Sequence, residues 1–470
     1  MLYPSSYNHL IEVTTGAGDD ARIVSNLFTG GADFVNREVF EFFSRAERDG
    51  GIDDDRLDPE VLRHFTERGF LWSEADAEED MVRGLGTTYG GRDEIAAGLK
   101  GGQYGLITSL NCNLACPYCF QQEHADSVGF LTPTQVDLAI AAITRCETRV
   151  AELAEGPTIP KISITGGEPL LPNRANAEVL DYIVERLIEL DWPFNITTNG
   201  TELARFVDRH ELTDRCRNIQ VTLDGPREVH DLRRAFRGGQ PSFDRIVDGV
   251  DRALALGWSI TMRVNLDMYV VGRLVELADF VVERGWLDRD NFFAYVSPVT
   301  DHGSLGGDES APADEADLLA ALLDEVQATP RIRDVFDIRH FRGFNYVERI
   351  LVDHEPRFPV IYRCEAISGM YIFDPAGDVY VCLESVGEPH RRVGRYDPEF
   401  VIDEEAASRW ASRSVLRMPY CDGCKVRFIC AGGCAIEGFN KGDGNACMPF
   451  LDEIDIAWRF FADTRPELFA

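Results

Sequence analysis

The chain has 470 residues, 44% of them hydrophobic, enough to bury large cores in roughly two to four domains and to exclude a disordered or fibrous protein. Against 47 basic residues stand 80 acidic ones, and the formal charge of −33 repels phosphate backbones, so nucleic acid is excluded as the expected partner. The first eight residues carry no basic segment leading into an apolar run, and no stretch approaches the ~18 apolar residues of a membrane span. A cytoplasmic protein without membrane association is expected. Its twelve cysteines then read as metal or catalytic ligands, because cytosolic thiols are kept reduced.

Residues 1–100 read as a separate small module. Ile11 to Val13 and Arg22 to Val24 flank the turn-rich Gly16-Ala17-Gly18-Asp19-Asp20 and predict a hairpin. Phe34, Val35, Val39, Phe40 and Phe43 recur at helical spacing, and Asp58-Pro59 caps and opens a second helix that ends before Gly69. This order resembles the small winged-helix modules that recognise peptides; a plain structural extension is the alternative.

From residue 101 to 310 strands and helices alternate, which predicts an α/β fold with a parallel sheet. The expected strands are 104–109, 161–165, 194–198, 219–223, 260–265 and 292–296. Thr132 and Pro133 start a helix whose Val136, Ile140 and Ile143 share one face. Six such units fall short of an eight-stranded barrel and predict a partial (β/α)6 barrel, open on one side. Residues 301–316 read as a mobile acidic loop, and 311–360 as a helical bridge. Residues 361–470 hold seven of the twelve cysteines and few long periodic segments, so ligands rather than a hydrophobic core are expected to organise this section.

Cys112, Cys116 and Cys119 stand in Asn111-Cys-Asn-Leu-Ala-Cys-Pro-Tyr-Cys-Phe120, on the loop after the first expected strand. Three thiolates can hold three irons of a 4Fe-4S cube and leave the fourth open. Zinc usually takes four ligands in pairs, and no partner pair lies nearby. The CxxxCxxC spacing, with an aromatic before the last cysteine, resembles the signature of the radical S-adenosylmethionine (SAM) superfamily. That resemblance implies a cluster whose open iron binds SAM and splits it to a 5'-deoxyadenosyl radical. Ser163-Ile-Thr-Gly-Gly-Glu-Pro169 is similar to the family's SAM-binding segment, which gives Gly166, Gly167, Glu168 and Pro169 that role. Thr197-Thr-Asn-Gly200 and Thr222-Leu-Asp-Gly-Pro226 fall in the same register, adding Thr198 and Asn199. By the resemblance Arg234 would pair with the SAM carboxylate and Asn265 would contact its ribose.

Cys364, Cys382, Cys421, Cys424, Cys430, Cys434 and Cys447 follow an order that resembles the SPASM extension of peptide- and protein-modifying members. The resemblance implies two auxiliary 4Fe-4S clusters: one on Cys421, Cys424, Cys430 and Cys447, the other on Cys364, Cys382 and Cys434 with one iron open. A zinc knuckle is the alternative for the four-cysteine set. Cys146 and Cys216 lack motif neighbours and read as core or helix-end thiols. The implied function is maturation of a ribosomally made precursor peptide through a thioether or carbon-carbon cross-link, with a flavodoxin- or ferredoxin-like reductant as second partner. Formylglycine formation of the sulfatase-maturase type is the runner-up. There an Asp follows the second SPASM cysteine, whereas here Leu383 and Glu384 follow Cys382. A non-catalytic iron-sulfur electron carrier is the rival from another class.

Overall fold

The turn residues after Thr14 bend the chain into the expected hairpin. The computed structural model describes residues 1–53, 57–88, 102–121, 124, 129–153, 156–300, 313–355, 359–442, 444 and 446–469. Strands β1 (Asn8–Thr14) and β2 (Asp20–Asn26) pair antiparallel, and β3 (Gly31–Phe34) adds a third strand. Phe34, expected in a helix, therefore ends a strand. Helix α1 (Arg37–Asp49) starts later because the Asn36 side chain caps it, accepting from the Val39 amide. Helix α2 (Pro59–Glu67) has the expected Asp58 cap and Pro59 opening.

This region has an apolar cluster of its own around Phe42, Phe43, Phe65 and Phe70, and it also packs on the rest of the chain. Ile11, Val13 and Ile23 belong to the main core, and the rings of Tyr7 and Phe28 pack on Phe428 at 5.4 and 4.8 Å. The Gly16 amide donates to the Ala462 carbonyl at 3.0 Å. The expected boundary at residue 100 lies outside the described residues.

Six parallel strands follow in chain order: β4 (Gln103–Ile107), β5 (Lys161–Thr165), β6 (Phe194–Thr198), β7 (Cys216–Thr222), β8 (Ile260–Leu266) and β9 (Phe292–Pro298). Alternate residues such as Leu106, Ile164, Ile196, Val221, Val264 and Val296 are buried in the main core. Helices α3 (Pro133–Leu153), α4 (Arg174–Glu189), α5 (Phe243–Ala255) and α6 (Leu274–Glu283) supply the residues that cover that face. The other face is polar, with Ser163, Thr197, Gln220, Thr222 and Arg263 along it. It is concave: the Tyr295 hydroxyl on β9 donates to Gln220 Oε1 on β7 at 2.8 Å, across the intervening β8. Side chains two strands apart meet in this way where a sheet curls inward.

The sheet does not stop at six strands. Strand β10 (Met370–Phe373) pairs parallel to β4, with Ile372 opposite Gly105. Then β11 (Asp378–Tyr380), β12 (Gly394–Arg395) and β13 (Val401–Ile402) continue it antiparallel, giving ten strands. The expectation that ligands alone organise residues 361–470 is thereby corrected. Helix α9 (Phe450–Thr464) buries Phe450, Ile454, Ala457, Trp458 and Phe461 in the main core. It packs against β1 and against the bridge helices α7 (Glu315–Ala328) and α8 (Arg342–Leu351). The expected acidic loop falls on residues 301–312, outside the described residues, and on the first turn before α7. Among the described residues no helix is long and apolar enough to cross a membrane.

Glu453 points from α9 into this packing, and its Oε2 accepts from the Gly343 amide at 2.7 Å. Burial, reinforced by nearby Glu315, pushes its carboxyl up to about 8. The native state then keeps a proton that the unfolded chain releases near the ordinary value of 4.5. Stability from this group is complete below the unfolded value and is lost as pH rises to about 8, at a cost on the order of 5 kcal/mol at most. Urea midpoints taken at about pH 5 and about pH 8.5 should fall in the native protein and change less in Glu453→Gln. An equally steep fall in the variant would refute the assignment.

Candidate active site at the C-terminal ends of the strands

β4 leads through buried Thr108, Ser109 and Leu110 into the cysteine loop. The turn after β5 bonds to that loop by backbone alone: Gly167 N donates to Ser109 O at 2.9 Å and Glu168 N to Asn111 O at 2.8 Å. A Cβ on Gly166 would lie 2.3 Å from Ser109 O, and one on Gly167 would lie 2.3 and 2.4 Å from the carbonyls of Leu110 and Asn111. The two glycines let these two loops approach each other closely. A second strap holds the other side: Ala115 N donates to Ala235 O at 3.0 Å, Arg237 N to Asn113 O at 2.9 Å, and Arg237 Nε to Cys112 O at 2.8 Å.

Glu168 is fully buried and braces the next loop. Its Oε1 accepts from Thr198 Oγ1 at 2.6 Å and Leu170 N at 2.8 Å, and its Oε2 from Asn199 N at 2.6 Å. Burial raises its carboxyl to about 7 against the pull of those donors. Asn199 in turn donates through Nδ2 to Asn113 Oδ1 at 2.8 Å and faces Cys112 Sγ at 3.6 Å; the Leu114 amide reaches the same sulfur at 3.4 Å. Burial first, and the Glu168 charge second, push the Cys112 thiol up to about 12.

Tyr118, between the second and third cysteines, gathers the weaker sequence candidates. Its hydroxyl donates to Asp224 and accepts from Arg234 and, at 3.2 Å, from Asn265 Nδ2. Asp224 is fully buried, accepts from the Asn265 amide at 2.8 Å and lies 3.7 Å from the Arg234 guanidinium. Arg234, expected to face SAM, is thus already paired. Asp224 sits in a quoted motif but was missed, because its role rests on Tyr118 and Asn265, which come from distant segments. The neighbouring His230 is fully buried and held well below its ordinary pKa by burial, then by Arg234 and Arg233. Its Nδ1 accepts from Asp224 N, its Nε2 faces Ser242 Oγ at 3.0 Å, and Ser242 donates to the Arg234 carbonyl at 2.6 Å. The histidine therefore positions Arg234.

Residues 106–281 match the family described as the Radical SAM superfamily. This segment is a radical SAM domain. The cysteine-type anaerobic sulfatase-maturating enzyme of Clostridium perfringens is 22% identical over 385 residues, 77% of this chain and 93% of that protein. The GTP 3',8-cyclase of Limosilactobacillus fermentum is 33% identical over 174 residues, 36% of this chain and 46% of that protein. Among solved structures, anSMEcpe with bound AdoMet has a TM-score of 0.56 at 19% identity, covering 78% of this chain and 94% of that one. Streptococcus suis SuiB bound to precursor peptide SuiA has a TM-score of 0.53 at 14% identity, covering 95% and 99%. The fold is that of radical SAM enzymes with SPASM extensions, and the cofactors of this radical SAM enzyme are SAM and 4Fe-4S clusters.

The residues present fit those groups. Three thiols share one braced loop, and buried polar atoms without partners among the described residues surround it: Thr108 Oγ1, Arg233 Nε and Nη2, and Arg234 Nε. Downstream of the radical SAM domain the seven cysteines fall into two sets. Cys382 feels the charges of Cys434 and Cys364, while Cys421 feels those of Cys430, Cys424 and Cys447. Cys216 is buried in the core; Cys146 packs against it from within α3, which runs on to Leu153.

Gly167→Ala drives a methyl into two carbonyls of the cysteine loop. The variant, reconstituted anaerobically, should bind less iron and lose at least tenfold in SAM cleavage, of the order expected when a reacting group is misplaced by about 1 Å. Iron content and 5'-deoxyadenosine yield equal to the native enzyme would show that the loop tolerates displacement.

Proposed function

We propose that this radical SAM enzyme matures a ribosomally made precursor peptide by abstracting a hydrogen and closing a thioether or carbon-carbon cross-link. SAM and the reduced cluster supply a 5'-deoxyadenosyl radical when bound. Cys112, Cys116 and Cys119 would hold that cluster, with the Asn199 side chain and the Leu114 amide donating toward the Cys112 sulfur and so tuning its potential. Gly166, Gly167, Glu168, Pro169, Thr198, Asn199, Arg234 and Asn265 would form the SAM site, with Tyr118 and Asp224 orienting Arg234. Cys421, Cys424, Cys430 and Cys447 would ligate one auxiliary cluster. Cys364, Cys382 and Cys434 would hold another, its open iron free to bind a substrate thiolate. A flavodoxin- or ferredoxin-like protein would deliver the electron.

Leu383 is the observation that carries this reading over its closest competitor. It packs against an apolar cluster of Ile107, Leu110, Ile372, Tyr380 and Val386, at the position where a sulfatase maturase would carry its acidic base. An apolar contact there takes no proton. The likeness to SuiB also supports it, because 95% coverage leaves too few residues outside to omit the first hundred. Strand β3 pairs only with β2 among the described strands and would accept a leader segment by strand addition, in the manner of a winged-helix recognition module. Sulfatase-type oxidation keeps the support of 22% identity along most of the maturase.

Anaerobic enzyme given dithionite and SAM should release 5'-deoxyadenosine, and Cys112→Ala should abolish it. Co-expression with any short Cys- or aromatic-rich reading frame found beside the gene should leave a peptide lighter by two hydrogens per cross-link. Conversion of a sulfatase Cys or Ser to formylglycine, with the neighbouring peptide untouched, would replace peptide maturation with the alternative.

A further inference from the structure

The six strands themselves are free of acids although the chain carries 80 of them, and Glu365 reaches in only at the Gln103 end. From Gln103 on β4 to Ser297 on β9, none of the inward positions of the six strands holds Asp or Glu. The cavity of about 310 Å³ at the far mouth, among Gln103, Lys161, Asn195 and Arg217, also has no acid in its lining. On β8, the strand next to the edge strand β9, stands Arg263. It lies opposite Thr222 on one side and Tyr295 on the other, two residues before Asn265 and on the same face. Its Nη2 donates to Ser297 Oγ at 3.3 Å, and its guanidinium also bonds to the Tyr295 hydroxyl. Its Nε is buried without a partner, and no carboxylate pairs with it among the described residues.

Most guanidiniums that fold into this molecule meet an acid; this one meets neutral donors and acceptors. Holding a half-buried cation without a counter-charge costs free energy, and that cost is offset when an anion arrives. Asn265 marks the level of the Tyr118 hydroxyl, so Arg263 lies about 7 Å deeper along the strand. Anything seated on it sits directly beneath the cysteine loop.

We propose that Arg263 is the substrate anchor of this enzyme, binding one carboxylate of the peptide in the concave face while the residue to be modified lies above it at the level of the cysteine loop. The inference rests on the peptide-maturase reading and names the chemistry its substrate must carry. A single cation matches a monoanion, and the planar guanidinium suits a carboxylate, which it can grip through two parallel donors. The carboxylate comes from an Asp or Glu side chain or from the chain's C-terminus.

Short synthetic peptides in matched pairs, Glu against Gln at one position and C-terminal acid against amide, test this with the SAM-loaded, reconstituted enzyme. Affinity selection read by mass spectrometry should retain the acidic member about tenfold over its neutral twin, the worth of one charge-assisted hydrogen bond. The pair that shows the preference identifies the source. Arg263→Gln should erase the preference, and Arg263→Lys should restore part of it, which a merely structural role would not do. A native enzyme indifferent to charge, or a glutamine variant that keeps the preference, overturns the proposal. Loss of SAM affinity in Arg263→Gln would move the residue to the cofactor and overturn it as well. Failure of both proteins to retain any peptide would instead overturn the peptide reading itself.

Discussion

Two adjacent residues without side chains set the distance between the cysteine loop and its neighbour, and the remaining contacts of the site follow from that distance. Because Gly166 and Gly167 lie against the carbonyls of Ser109, Leu110 and Asn111, Glu168 is delivered to a fixed point beneath the next loop. Its carboxylate fixes Thr198 and Asn199, and Asn199 reaches back to Asn113 and Cys112. The hydrogen bonds thus form a closed circuit through three successive strand ends. A reacting centre needs its ligands held to fractions of an ångström, and a circuit of this kind resists displacement in every direction at once.

A second circuit, centred on Tyr118, meets the first at the cysteines. Burial raises the tyrosine and lowers His230, so both stay neutral while Asp224 balances Arg234 in a space closed to water. Buried acids stand elsewhere too, Glu147, Glu202 and Glu453 among them, but the six strands themselves carry none. In a strongly negative molecule their cations Lys161, Arg217 and Arg263 are thus unmatched by an acid on the same strands.

The first cysteine group and the six strands were legible because both are local signals: three thiols between Cys112 and Cys119, and short strand-like runs alternating with helical ones. All six strands lie close to where that alternation placed them. What stayed hidden depends on partners far away in sequence. Helix α9 has regular apolar spacing at Phe450, Ile454, Ala457, Trp458 and Phe461, but the nearby cysteines drew the section toward a ligand-organised reading. The packing of Tyr7 and Phe28 on Phe428 joins opposite ends of the chain, and no window of sequence contains both sides. Asp224 was overlooked for the same reason, since Arg234, Tyr118 and Asn265 reach it from three different segments.

The pairing of β10 with β4 bears on the order in which the molecule is assembled. Gln103 finds its sheet neighbour in Met370, so during synthesis the strand that leads into the radical-generating loop remains an open edge until most of the chain has left the ribosome. The apolar cluster that joins Ile107 and Leu110 to Ile372, Tyr380 and Val386, with Leu383 against it, forms only with that closure. Iron delivered to Cys112, Cys116 and Cys119 before then would enter a site lacking one wall, whereas iron delivered afterwards enters a finished one. The wall beside the cysteine loop is thus completed by strands from the far end of the chain.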